Sequence, residues 1–268
     1  MADPFQDLST VDDATLKVII ESLERRAADP QMVSIIDGYL NRLSVPEAAT
    51  ILDIGSGTGA ITRRIAERYI DVAVKGVEPA AKLVTEARRR AKELSNLTFL
   101  DGDGTRLELA DETVNVSIFH TVLSHVPDPG TLIDEAVRVT RPGGQVVICD
   151  ADWSKLTLAS CEGDPLDACA AIFRRHFVTD PHLTSKLRPL ATYAGLEVDV
   201  FEITNRLDFG GGGGLSWVEL SGKYLADSGI IGRELADALR AEYERRASSG
   251  TLYGFLPFVT LIARKEGR

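Results

Sequence analysis

The chain is poor in the residues that hold disulfide-linked or metal-bound scaffolds together. Its three cysteines, Cys149, Cys161 and Cys169, are odd in number and lack Cys-x-x-Cys spacing. That excludes a disulfide framework and a cysteine zinc site, and predicts buried or semi-buried thiols in a reducing compartment. His176 and His182 are separated by six positions with Pro181 between, a spacing unsuited to a helical metal pair, so no metal is expected. No apolar run is long enough to cross a membrane. The opening Met-Ala-Asp-Pro-Phe-Gln-Asp lacks a basic stretch followed by an apolar one, so no signal peptide is expected and the setting is read as cytoplasmic. Positive charge is short as well: 30 Lys and Arg face 40 Asp and Glu, a formal net charge of −10. Non-specific nucleic-acid affinity comes from basic side chains, so nucleic acid is not an expected partner. The paired arginines Arg25–Arg26 and Arg174–Arg175 read as solvated helix faces.

What is present is ordinary for a globular protein, with 44% hydrophobic and 26% charged residues in 268 positions. The chain is organised around Thr50 to Gly59, Thr-Ile-Leu-Asp-Ile-Gly-Ser-Gly-Thr-Gly. A short apolar run containing Asp53 meets Gly55, Gly57 and Gly59, and a helical pattern follows. This predicts a strand turning sharply into a helix, with backbone N–H groups open at the bend and close approach for a ligand. Gly55, Gly57 and Ala60 also satisfy the dinucleotide fingerprint, which keeps a nicotinamide oxidoreductase among the alternatives. Two features weigh against that: the strict Gly-x-Gly-x-Gly alternation, and Asp53, placed where a carboxylate can accept from an ammonium. Glu78 ends the next strand, where an acid can accept from both ribose hydroxyls of a nucleoside.

Strand-like segments near 50–54, 72–78, 97–101, 114–119 and 145–150 alternate with helical patterns. Two helical stripes precede the first strand, over 10–27 and from Met32 to Leu43. Another lies at 80–94, with Pro79 at its first position, and one at 130–140, stopped by Arg-Pro-Gly-Gly. Such alternation means a doubly wound parallel sheet, with ligands beyond the carboxyl ends of its strands. After Asp150 the rhythm changes: helices and turns over 153–195, a strand at 196–203, five glycines from Gly210 to Gly214, two helices at 216–227 and 232–247, and a last strand at Phe258 to Ala263. The glycine run reads as a flexible hinge or loop. The division expected is a helical cap at 1–46, a Rossmann-like core at 47–152 and substrate-cap helices with two strands at 153–268.

The glycine stretch resembles motif I of class I S-adenosylmethionine-dependent methyltransferases. Phe119-His120-Thr121-Val122-Leu123-Ser124-His125-Val126-Pro127-Asp128, with Arg-Pro-Gly-Gly one helix later, resembles the ubiquinone/menaquinone C-methyltransferase branch (methyltransferase type 11/25). The resemblance covers about residues 48–152. It implies an α/β fold: a doubly wound, Rossmann-like, seven-stranded sheet, mostly parallel with an antiparallel last strand, plus a helical cap. It further implies S-adenosyl-L-methionine as cofactor and S-adenosyl-L-homocysteine as product. The cofactor site carried over comprises Asp53, Gly55, Ser56, Gly57, Gly59, Glu78, Pro79, Asp103, Gly104, Thr105 and His120. Asp103, in a Gly-Asp-Gly turn, is placed to accept from the adenine amino group, with Asp101 as its competitor.

For catalysis the resemblance points to His125 as a base near neutrality, supported by an acid after the fifth strand. The segment Asp150-Ala151-Asp152-Trp153 supplies that acid, with Asp152 the candidate. Tyr39, Trp153 and Trp217 are the substrate-side candidates, with Phe5 and Met32 beside them. The expected activity is methyl transfer to a small-molecule acceptor, oxygen favoured. A non-methylating cyclase or isomerase on the same scaffold is the main alternative. No nucleic-acid or membrane partner is expected, and a homodimer is left open.

Overall fold

A computed structural model describes residues 3–6, 8, 11–210 and 213–267. Seven strands form one sheet in the order β3-β2-β1-β4-β5-β7-β6: β1 Thr50–Ile54, β2 Ala73–Glu78, β3 Leu97–Asp101, β4 Val114–His120, β5 Thr140–Ala151, β6 Leu196–Asp208 and β7 Gly254–Lys265. β1 to β5 pair in parallel, and β7 runs antiparallel to both β5 and β6. The fold expected from the sequence, including the antiparallel closing strand, is the fold observed.

Residue alternation along β1 shows why the sheet is covered on both faces. Ile51 packs into the cluster holding Met32, Ile65 and Phe173, while Leu52 and Ile54 pack into the one holding Ile133 and Leu187. The helices that supply these faces are α1 Asp13–Ala28, α2 Pro30–Leu40, α3 Ala60–Arg68, α4 Ala81–Arg90, α5 Pro129–Val139, α6 Pro165–His176, α7 Leu187–Tyr193, α8 Gly214–Asp227 and α9 Arg233–Ser248. α1 starts where Asp12 accepts from the Thr15 N–H, and α5 where Asp128 accepts from Gly130 and Thr131.

Several boundaries differ from the sequence reading. Pro79 lies one residue before Ala80, the N-cap of α4, and so outside the helix. β5 starts at Thr140, because the Arg-Pro-Gly-Gly segment continues into the sheet after stopping α5. β6 and β7 are longer than predicted, since pairing runs from Leu196–Lys265 to Asp208–Gly254 and polar residues on an edge strand still hydrogen-bond through their backbone. The glycine run is bounded by β6 and α8, which begins at Gly214; Gly211 and Gly212 lie outside the described residues. Cys149 and Cys169 are buried, whereas Cys161 is exposed. No helix among the described residues is long and apolar enough to cross a membrane.

Candidate active site

The β1–α3 bend forms as the glycines dictate. Gly55 and Gly59 take φ of 76° and 73°, and Gly59 is the N-cap of α3. A Cβ on Gly59 would sit 2.3 Å from the Phe99 ring, and one on Gly55 would sit 2.6 Å from Val122, so close packing forbids a side chain at either position. The N–H groups are less open than the sequence suggests. Gly55 and Ser56 donate to the Val77 carbonyl at 2.8 and 3.0 Å. Gly57 donates to Glu78 Oε2 at 2.9 Å.

Glu78 is therefore tied to the bend on one oxygen and to the Ala80 N–H, at 3.0 Å, on the other. Each oxygen retains a lone pair for a further donor. Burial raises the Glu78 pKa, with the Ala80 and Gly57 N–H groups opposing it. Asp53 is buried and accepts from Thr62 Oγ1 at 2.6 Å. Burial pushes its carboxyl up to about 6; the Thr62 hydroxyl works against this and the charge of Glu78 adds to it. Asp103 is exposed and holds the Thr105 N–H at 2.8 Å, which sets its turn.

One cavity of about 760 Å³ brings together Asp53, Gly55, Ser56, Gly57, Glu78, Pro79, Asp103, Gly104, Thr105, His120 and His125. Gly59 sits behind the wall, and Asp101 is not part of it. Phe5, Gln6 and Leu8 line it from the N-terminal side, beside Leu23 and Arg26 of α1. Three wall atoms are buried without a hydrogen-bond partner among the described residues: Ser56 Oγ, Thr58 Oγ1 and His120 Nε2. Leaving such atoms unpaired costs about 1–3 kcal/mol each, so the wall is built for a polar ligand. Burial drives the His120 pKa down to about 3, which keeps the ring neutral, and Tyr39 Oη lies 3.3 Å from its Nδ1.

Behind His125 lies a chamber of about 50 Å³ walled by Trp153, Phe173, Trp217, Arg26 and Arg206, sharing Phe5, Leu23, Arg26, Thr121 and His125 with the main cavity. Trp153 and Trp217 are thus placed on the inner side. Tyr39 and Met32 are core residues lining neither space.

The acid beside His125 is Asp3, with Oδ2 at 2.8 Å from Nδ1. An ionised carboxylate only accepts, so Nδ1 is the nitrogen that donates to it, and Nε2 is left for another partner. Asp152 is elsewhere, accepting from Ser154 Oγ. Asp150 acts on the loop instead: its oxygens accept from the Ser124 N–H at 3.1 Å and hydroxyl at 2.8 Å, fixing the turn that carries His125. Thr179 Oγ1 joins Asp3 Oδ2 at 3.0 Å and the His125 carbonyl at 3.1 Å, so the N-terminal segment is pinned over the histidine.

Sequence reasoning also missed Thr121 and Arg26. Thr121 holds φ of 56°, a left-handed conformation that costs a β-branched residue about 1–3 kcal/mol. Arg26, read as part of a solvated face, instead turns its guanidinium to the cavity wall, where Nη2 donates to Thr121 Oγ1 at 2.7 Å. Among the described residues, no group of three or more His, Cys, Asp or Glu is arranged to hold a metal.

A family model described as a methyltransferase domain matches residues 52–148, the span from β1 through most of β5. The chain carries a methyltransferase domain. The demethylmenaquinone methyltransferase of Bacillus licheniformis is 30% identical over 121 residues, which is 45% of this chain and 52% of that protein. The chain spans between about a third and a half of the length of such curated relatives. Among solved structures, the geranyl diphosphate C-methyltransferase of Streptomyces coelicolor A3(2), complexed with Mg2+, geranyl diphosphate and S-adenosyl-L-homocysteine, shares the fold. Its TM-score is 0.56 at 17% identity, covering 87% of this chain and 80% of that one. The [4+2]-cyclase SpnF is also similar, with TM-score 0.59, 21% identity and coverage of 88% and 82%.

The cofactor of a methyltransferase domain of this kind is S-adenosylmethionine, and the wall fits it. Its donors would meet the buried carboxylate of Asp53 and the remaining lone pairs of Glu78 on this wall. When bound, it supplies an electrophilic methyl group on a sulfonium.

Proposed function

We propose that this protein transfers a methyl group from S-adenosylmethionine to an oxygen of a small-molecule acceptor. The observation that carries the reading is the Asp3–His125 pair, whose histidine lies on the wall shared by the cofactor-sized cavity and the inner chamber. Asp53 would hold the ammonium of the cofactor, Glu78 the ribose and Asp103 the adenine amino group. With that order along the strand ends, the amino-acid end would lie toward Thr121 and His125.

His125 would take the hydroxyl proton of the acceptor on Nε2 while Asp3 holds Nδ1 and stabilises the resulting imidazolium. Asp150, through Ser124, keeps the loop in register for in-line attack. The rings of Phe5 and Trp153 around His125, centroids 4.7 and 6.0 Å away, would limit water at the reacting atoms. The acidic surface and the narrow chamber favour a metabolite over nucleic acid.

Fold does not fix function, as the similarity to a cyclase illustrates. The test is a panel of hydroxylated small molecules with S-adenosylmethionine, scored by S-adenosylhomocysteine release and product mass. A product 14 mass units heavier, formed by the wild type and lost in His125→Asn with cofactor affinity retained, supports the reading. An acceptor converted without S-adenosylhomocysteine release points to the non-methylating alternative.

A further inference from the structure

Arg26 projects from α1 into both the main cavity and the inner chamber. Among the described residues its five N–H donors meet one partner, Thr121 Oγ1, and no carboxylate of those residues stands within ion-pair distance. The Thr121 hydroxyl is itself committed, donating to the His120 carbonyl at 2.7 Å, so it presents only an acceptor to Arg26. The neighbouring acids are taken. Asp150 is bound by Ser124 and Ala151, Asp29 faces Arg206 at 3.6 Å, Asp3 holds His125, and Glu24 bridges Arg63 and Arg90. Burial, with Arg206 nearby, pulls the guanidinium pKa down to about 10, still charged at neutral pH. A half-buried cation with no carboxylate in direct contact is costly, a second guanidinium nearby raises that cost, and the charge of Asp150 offsets only part of it. The sequence spends this energy on the wall of a chamber rather than removing the charge.

We propose that Arg26 is a specificity-determining residue of the acceptor site, taking a carboxylate or an oxyanion of that size carried by the acceptor. The proposal rests on the methyl-transfer reading above. The chamber shares none of Asp53, the glycine bend, Glu78 or Asp103, so an anion held on its side of Arg26 belongs to the acceptor. Its volume of about 50 Å³ suits a group of carboxylate size, and Phe5 and Leu23, on the wall it shares with the main cavity, receive the apolar body. The acceptor class is therefore a hydroxylated acid with an aromatic or apolar frame, its hydroxyl toward His125 and its carboxylate toward Arg26.

The probes are benzoate and its neutral isostere benzamide, titrated by calorimetry into the S-adenosylhomocysteine-bound protein. Benzoate should bind the wild type at least about tenfold more tightly than benzamide, a gap of about 1.4 kcal/mol. Arg26→Gln should erase the preference, and Arg26→Lys should restore part of it, which separates loss of charge from loss of fold. Equal binding of the two probes, or no binding of either, overturns the proposal. So does an Arg26→Gln variant that loses affinity for S-adenosylhomocysteine while keeping that for methylthioadenosine, because the cofactor's own carboxylate then occupies Arg26. If S-adenosylhomocysteine fails to bind the wild type, the methyl-transfer reading fails separately, and the benzoate titration on the ligand-free protein still decides the anion site.

Discussion

Asp53→Asn should stabilise the cofactor-free protein and weaken the cofactor at the same time. The Asp53 carboxyl titrates near 6 in the folded protein against 3.8 for an ordinary aspartate, with burial as the main cause. The folded state therefore holds the extra proton in the window from about pH 4 to 6, and stability falls as pH rises through it. The whole penalty at neutral pH is about 3 kcal/mol, of which about 1.4 kcal/mol develops between pH 5 and 8. Asparagine keeps the shape and does not titrate. After losing the charge-assisted bond from Thr62, the variant should still gain about 1–2 kcal/mol at pH 8. Urea unfolding at pH 5 and pH 8 reads this directly: the advantage of the variant should be larger at pH 8 by about 1.4 kcal/mol. Calorimetry with S-adenosylhomocysteine should show the opposite sign, a loss of about 1–3 kcal/mol, or roughly 5–150-fold, because the ammonium has lost its counter-charge. A stability difference independent of pH, or unchanged affinity, refutes the reasoning.

Glu78→Ala should cost about 1–3 kcal/mol of cofactor affinity, and also stability, since the Gly57 and Ala80 N–H groups lose their acceptor. Reduced stability with unchanged S-adenosylhomocysteine affinity in calorimetry makes Glu78 a backbone cap and removes it from the ribose. Asp3→Asn should lower turnover at least about tenfold while leaving cofactor affinity within twofold, because the His125 tautomer is no longer enforced; steady-state kinetics beside calorimetry checks it. Gly59→Ala should destabilise by more than about 2 kcal/mol in urea unfolding, combining a positive φ with a Cβ 2.3 Å from Phe99.

The parts of this protein legible in the sequence are those written locally. The β1–α3 bend follows from three alternating glycines after an apolar run, and the β–α rhythm through β5 follows from hydrophobic period. Asp53, Glu78 and Asp103 stand at strand ends, where topology brings them together whatever the distant residues do, and the cavity contains all three. What escaped reading depends on contacts across long stretches of chain. Asp3 reaches His125 across 122 positions and Arg26 reaches Thr121 across 95. No periodicity reports such pairs. Arg26 looked solvated because its neighbour Arg25 shares its type, and only the packing of α1 over the chamber reveals where the guanidinium goes. The segment Asp150-Ala151-Asp152-Trp153 offers Asp152 as the acid by resemblance alone, but β5 ends at Ala151 and the Asp152 carboxylate accepts from Ser154. The lengths of β6 and β7 depend on their pairing with each other, which side-chain pattern on a half-exposed edge strand does not encode.

A crystal structure with S-adenosylhomocysteine bound tests the central claim most directly. The account predicts one molecule in the cavity beneath Phe5 and Leu23, its ribose hydroxyls on Glu78, its adenine amino group at Asp103 and its ammonium toward Asp53. A ligand bound elsewhere, or one in this cavity that leaves Glu78 and Asp103 without contact, contradicts it.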